Sequence, residues 1–210
     1  MRISLLLAMA GCVSGAMACG SSPPSTFYAL SPENGAATAA QAPRTLKLRR
    51  PGLAGYLDRP EIIRGIVDHR VAVVDTDRWA APLDEMLGRV LAQDVEQRLP
   101  GSVVFTEDGA ITADADLTIE VDVRRFDSDA DGYVNLVAEV AVEKGDNHEP
   151  LGTRAVRLRE TPGNATTARL LSAMSHLLGR LADEISVLAR SDNAASSALG
   201  ENSSSSTISR

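Results

Sequence analysis

From Leu117 to Val142 the chain alternates apolar and polar side chains, and this pattern constrains the fold more than any other. Leu117, Ile119, Val121 and Val123 are interleaved with Thr118, Glu120, Asp122 and Arg124; Val134, Leu136, Ala138, Val140 and Val142 then repeat the period after a short polar break. A period of two places every apolar side chain on one face of a strand, so both segments read as half-buried strands. Val156 and Leu158, flanked by Arg157 and Arg159, mark a third. Residues 116–160 therefore predict an antiparallel meander with one solvated face. Shorter runs at 27–30, 46–48, 62–67, 71–74 and 103–105 supply further strands.

Two segments change period. Between Pro82 and Arg98, the residues Leu83, Met86, Leu87, Val90, Leu91 and Val95 recur every three or four positions. That is the stripe of an amphipathic helix, with Pro82 in the first turn, Asp84 and Glu85 at the positive dipole end and Pro100-Gly101 as the stop. A second helix is expected from Asn164 as N-cap, with Leu170, Leu171, Met174, Leu177, Leu178, Leu181, Ile185 and Leu188 on one face. Together the elements predict an α+β fold: a mostly antiparallel sheet with two amphipathic helices packed on one face.

The chain's ends differ in character. Met1-Arg2, the apolar stretch from Ile3 to Ala10 and the small residues up to Ala18 have the layout of a secretory signal. Ala16-Met17-Ala18-Cys19 resembles a bacterial lipobox, in which Cys19 would carry the lipid; Met9-Ala10-Gly11-Cys12 is the competing box, with Cys12 as the alternative. Gly20-Ser21-Ser22-Pro23-Pro24 then reads as a flexible tether. The expected organisation is a signal peptide at 1–18, a lipidated tether and first short strand at 19–44, an α+β domain at 45–190 and a disordered Ser-rich tail at 191–210. In this reading residues 20–26 and 31–44 give reach and freedom of orientation.

Composition narrows the function. With a net charge of −7 and only 3% aromatic residues, the chain lacks the electrostatic footprint of a nucleic-acid binder. Both cysteines, Cys12 and Cys19, lie in the first tenth of the chain, so the body holds no disulfide framework or cysteine zinc site. Asp127-Ser128-Asp129-Ala130-Asp131-Gly132 matches the first half of a calcium loop, but Ala138 stands where a bidentate Glu is required, and a polar hairpin turn is expected instead. His69, His148 and His176 have no ligand spacing around them. No nucleophile elbow, phosphate loop or dinucleotide fingerprint occurs, so no enzyme activity, metal or cofactor is expected.

Two segments, Gly55-Tyr56-Leu57-Asp58-Arg59-Pro60 and Asp77-Arg78-Trp79-Ala80-Ala81-Pro82-Leu83, concentrate aromatic and Arg residues in what read as loops. Tyr56, Arg78 and Trp79 are of the types enriched at interface hot spots and are the candidate partner-binding residues. The competing reading has Trp79 plugging the junction of sheet and helix.

With these residues in view, the chain resembles the ABC-type transport auxiliary lipoproteins, the family of paraquat-inducible protein C. Phe27-Tyr28-Ala29-Leu30, Tyr56-Leu57-Asp58-Arg59-Pro60 and above all Arg78-Trp79-Ala80-Ala81-Pro82-Leu83, leading to Leu99-Pro100-Gly101, carry the resemblance, which runs from about Cys19 to Arg190. It implies a non-enzymatic, lipid-anchored protein of the outer membrane facing the periplasm, an auxiliary component of a lipid transport system. The partners it implies are an Mce-domain protein and an inner-membrane permease. Homo-oligomerisation through sheet edges is a further expectation, and a fatty chain held between sheet and second helix is the alternative function.

Overall fold

The structure is a computed structural model that describes residues 23–37, 45–145, 149–164 and 166–204. Cys12, Cys19 and His148 lie outside the described residues, as do the signal peptide and part of each expected tether.

Among the described residues the chain forms β1 (Thr26–Tyr28), β2 (Thr45–Leu48), β3 (Gly52–Leu53), β4 (Glu61–Val67), β5 (Arg70–Trp79), α1 (Leu83–Arg98), β6 (Val103–Thr106), β7 (Leu117–Ser128), β8 (Val134–Lys144), β9 (Glu149–Glu160) and α2 (Thr167–Ser204). All nine strands join one sheet with β7 at its centre. One edge of β7 pairs along its length with β8, and β8 pairs in turn with β9. The other edge is shared end to end: β2 at Leu117–Ile119, β3 at Asp122–Val123 and β4 at Ser128. β6 extends the sheet beyond β2, and β5 and β1 extend it beyond β4.

The sheet is mixed, which corrects the expectation of a mostly antiparallel one. The pairs β4–β5, β7–β8 and β8–β9 are antiparallel, whereas β1–β5, β2–β6, β2–β7, β3–β7 and β4–β7 are parallel. The division follows the connections. A short turn can only return the chain antiparallel, while strands that arrive after a long excursion are free to pair in either direction. The meander was visible because its hairpins are local. The β4–β5 turn is similarly tight, with Asp68 (φ 50) and His69 (φ 63) both left-handed, as a two-residue type I′ turn requires.

The alternation in β7 and β8 does what the pattern demanded. Leu117, Ile119, Val121, Val123, Val134, Leu136, Ala138, Val140 and Val142 are all buried and enter one continuous core with Leu87, Leu91 and Val95 of α1 and Leu177, Leu178, Leu181 and Ile185 of α2. The helices pack on each other, α2 lies against β7, β8 and β9, and α1 lies beside β6. Pro82 is the N-cap of α1, one residue before the first turn, and its carbonyl accepts the Met86 N–H at 3.1 Å. Gly101, at φ 89, takes the left-handed turn that follows Leu99 and Pro100.

Two boundaries differ from expectation. α2 is capped by Thr166 rather than Asn164: the Arg169 N–H donates to Thr166 Oγ1 at 3.4 Å, while Asn164 Oδ1 accepts from Thr166 N and Oγ1 in a preceding Asx turn. The helical backbone of α2 also continues to Ser204, past the expected limit of the folded body at 190. Once a packed helix is nucleated, each added Ala, Ser, Leu or Glu costs little, so it can outrun its buried stripe.

Candidate functional site

The segment that follows β1 crosses both helices as a strap. Its residues were expected to give reach; residues 31–35 are instead pinned down. Leu30 is buried, the Ser31 N–H donates to Ser175 Oγ on α2 at 3.1 Å, and the Glu33 N–H donates to Asp94 Oδ1 on α1 at 2.8 Å. Arg98, one turn after Asp94, donates through Nη1 to the Glu33 carbonyl at 3.3 Å and through Nε to Asp183 Oδ1 on α2 at 2.5 Å. The Arg98 side chain is only 4% exposed, so one buried guanidinium ties α1, α2 and the strap together. The fit depends on a missing side chain: a Cβ on Gly35 would stand 2.2 Å from the Arg98 guanidinium carbon.

Asp94 is fully buried, and its Oδ2 has no hydrogen-bond partner. Burial pushes its carboxyl up to about 6, against the pull of the Glu33 N–H and the Arg98 guanidinium. These residues were missed by the sequence reading. The signal was available: Asp94 and Arg98 sit four apart on the same side of α1 as Leu87 and Leu91, where a polar pair needs a buried partner.

The three candidate partner-binding residues do not form one patch. Trp79 is the last residue of β5, not a loop residue, and at 6% exposure it belongs to the core, as in the reading that makes it a junction plug. Its N–H donates to the Pro60 carbonyl at 2.8 Å, and the Ala80 N–H donates to the Tyr28 carbonyl at 2.8 Å, so β1, the 56–60 loop and the end of β5 are stitched together. Arg78 projects to the other face beside its strand partner Glu61, Nη1 to Oε1 3.3 Å. Tyr56 is half-buried and donates its hydroxyl to Asp127 Oδ2 at 2.6 Å. Burial, then the neighbouring Asp127 carboxylate, pushes the Tyr56 hydroxyl well above the usual tyrosine range.

The Asp-rich segment is a hairpin turn whose carboxylates face different ways. Asp127 is buried on the end of β7 and held by Tyr56 and by Arg125, Nε to Oδ1 3.0 Å. Asp129 accepts the Asp131 and Tyr133 N–H groups, the Asn135 amide and the Arg159 guanidinium, and Gly132 takes φ 83. Burial opposes ionisation of Asp129, yet the Asn135, Tyr133 and Arg159 hydrogen bonds hold its carboxyl below the usual range. Arg159 also stacks over the Tyr133 ring at 3.6 Å. His176, exposed on α2, meets Glu160 Oε2 at 3.2 Å, and His69 is in the β4–β5 turn. Among the described residues, no group of three or more His, Cys, Asp or Glu side chains is placed to hold a metal.

The described residues thus form a helix pair on a mixed sheet, with an N-terminal segment strapped across both helices. The chain belongs to the family of ABC-type transport auxiliary lipoprotein components, whose profile matches residues 28–186. It is 28% identical over 102 residues to the intermembrane transport lipoprotein PqiC of Escherichia coli (strain K12) and, to the same extent, to that of Shigella flexneri. Those stretches cover 49% of this chain and 53% of each relative, so the chain spans about half the length of the curated relatives it matches. The fold is also that of protein XCC0632 from Xanthomonas campestris, at a TM-score of 0.67 and 19% identity, covering 80% of this chain and 99% of that one. A second crystal structure, of a protein described only as uncharacterized, superposes at a TM-score of 0.65 with 20% identity over 78% of this chain and 97% of the other.

Proposed function

We propose that the protein is a non-enzymatic lipoprotein, anchored through a lipid on Cys19 (with Cys12 as the alternative) to the outer membrane and facing the periplasm. There it docks the distal end of an Mce-type lipid conduit, with an Mce-domain protein and an inner-membrane permease as partners, in one or several copies of this chain. Membership of the transport auxiliary family is the observation that carries this reading.

The pairing of β1 supports it: with Thr26–Tyr28 held against β5, a lipid on Cys19 would be seven residues from the sheet, at most roughly 25 Å when fully extended. So short a link favours a docking platform over a roaming carrier. The alternative, a fatty chain carried between sheet and α2, needs a hollow on that helix face. Leu170, Leu171, Met174, Leu177, Leu178, Leu181 and Ile185 are instead packed to 5% exposure or less against the sheet.

The test is a pull-down of the tagged full-length chain from detergent-solubilised membranes, with mass spectrometry of both the partners and the mature N-terminus. Recovery of an Mce-domain protein, together with acylation lost in Cys19→Ala and kept in Cys12→Ala, is the expected result. Bound phospholipid with no envelope protein would replace docking by carriage.

A further inference from the structure

The solvated face of the sheet holds a feature that membership of the family does not explain. In β7, β8 and β9, Glu120, Ala141 and Thr153 form one cross-strand row, and Asp122, Glu139 and Ala155 form the next. Acidic side chains occupy the first columns, and small ones floor the last. The result is a hollow of ≈ 660 Å³, walled on one side by the Arg49–Arg50 turn after β2 and open along β9, which among the described residues pairs only with β8. A second hollow of ≈ 440 Å³ shares Arg49, Arg50 and Glu107 and continues to the start of α1. The two hollows meet at Arg49, Arg50 and Glu107 and together are called the trough.

Charge in the trough is unbalanced. Arg49 serves both Glu120 (2.5 Å) and Glu107 (3.7 Å). Arg50 serves Asp84 (2.5 Å), Glu85 (3.6 Å) and Asp108 (3.6 Å). Arg124 serves Glu139 (2.6 Å) and Asp122 (3.4 Å). Seven carboxylates thus share three guanidiniums, and Arg89 at the far rim still leaves three negative charges in excess. Arg154, under the floor, is engaged by Glu184 of α2.

We propose that this trough receives an extended segment of a partner protein bearing Lys or Arg side chains, its backbone over Ala141, Thr153 and Ala155 and its cations between the shared carboxylates. The charge selects this occupant. An anionic lipid surface is repelled by the excess, and a second copy of the chain, itself at −7, would bring like charge to like. Incoming cations each find a carboxylate that now shares its arginine with another. Assigning the segment to a component of the transport system rests on the docking function proposed above; the trough's preference for a basic strand does not.

The experiment uses the full-length chain in detergent and a fluorescent peptide of alternating arginine and alanine, with an alternating glutamate and alanine peptide as reference, read by anisotropy. Glu120→Gln/Asp122→Asn/Glu139→Gln should weaken arginine-peptide binding by about tenfold or more. Asp58→Asn/Asp75→Asn/Glu96→Gln changes net charge equally at exposed positions elsewhere and should leave it within about twofold. Ala155→Trp, or Ala155→Leu if the larger ring unfolds the chain, should weaken binding with no change in charge. Equal weakening by both triples, unchanged binding with the floor filled, or no preference over the glutamate peptide would each overturn the proposal. In the pull-down, a wild type that recovers an envelope partner and a trough triple that recovers it equally would also overturn it while leaving docking intact; a wild type that binds the peptide but captures no partner breaks the docking reading alone.

Discussion

The N–H of Glu33 donates to Asp94 Oδ1 at 2.8 Å, and the carbonyl of Glu33 accepts from Arg98 at 3.3 Å. A single strap residue is therefore gripped on both its backbone polar groups by two side chains one turn apart on α1. The grip satisfies backbone groups that water would otherwise have to reach, and it places a carboxylate in the core at the cost of its own desolvation.

That cost sets a pH dependence. The Asp94 carboxyl lies at about 6 in the folded chain, against an ordinary aspartate value of 3.8 when unfolded. The folded state thus binds the proton more tightly, so stability from this group is fully present below about pH 4 and is lost as pH rises through 6. The loss is of the order of 3 kcal/mol. Asp94→Asn keeps an acceptor for Glu33 and should flatten this part of the profile. Urea unfolding of both proteins between pH 4.5 and 7.5 checks it; parallel curves would remove Asp94 as the source.

Gly65 makes the single register pair that joins β4 to β7, and a Cβ there would lie 2.2 Å from the Ser128 carbonyl oxygen. Backbone cannot step aside as a side-chain tip can. Gly65→Ala should cost about 1–3 kcal/mol and raise amide exchange in β4 and β5 before the β7–β9 meander. Uniform exchange across the sheet would contradict it.

Tyr56→Phe removes the hydroxyl that Asp127 accepts while keeping the ring. The buried carboxylate is then left to Arg125 alone, which should destabilise the chain by about 1–3 kcal/mol. With its pKa raised in the folded state, Tyr56 contributes stability below pH 10 that is lost as pH climbs beyond the ordinary tyrosine range. Ultraviolet titration should therefore show a late-ionising component that Tyr56→Phe lacks.

Trp79 separates stability from docking. At 6% exposure, Trp79→Ala should cost about 3–5 kcal/mol, whereas Arg78→Ala, which removes a surface ion pair with Glu61, should cost less than about 1 kcal/mol. Thermal unfolding of the two single variants distinguishes them. Loss of partner capture in Arg78→Ala at unchanged stability would assign docking to that face of β5.

Much of this architecture is legible in the sequence where the governing interactions are local. The β7–β8 alternation and the stripes of α1 and α2 each depend on residues two to four apart, and the structure buries those faces. Strand direction is not local: nothing near Leu46 or Leu53 records that each will lie parallel to β7, some seventy residues later. β3, only Gly52–Leu53, is too short to leave a period. The strap escaped for a related reason. Its Ser, Glu and Gly residues look like a solvated loop, and their partners Asp94, Arg98 and Ser175 are on helices distant in sequence. Only the polar pair on the apolar side of α1 hinted at it.

The shared edge of β7 has a consequence for the order in which the chain acquires its shape as it is made from its N-terminus. β4 meets β5 at once across their tight turn, whereas β2 waits for β6 and β7 and β3 for β7, all far later in the chain. For β2 and β3 the pairing is late and non-local, which is slow and exposed to aggregation. β7 is therefore the keystone: the β2–β6, β3 and β4–β5 parts become one sheet only once Leu117–Ser128 has joined them.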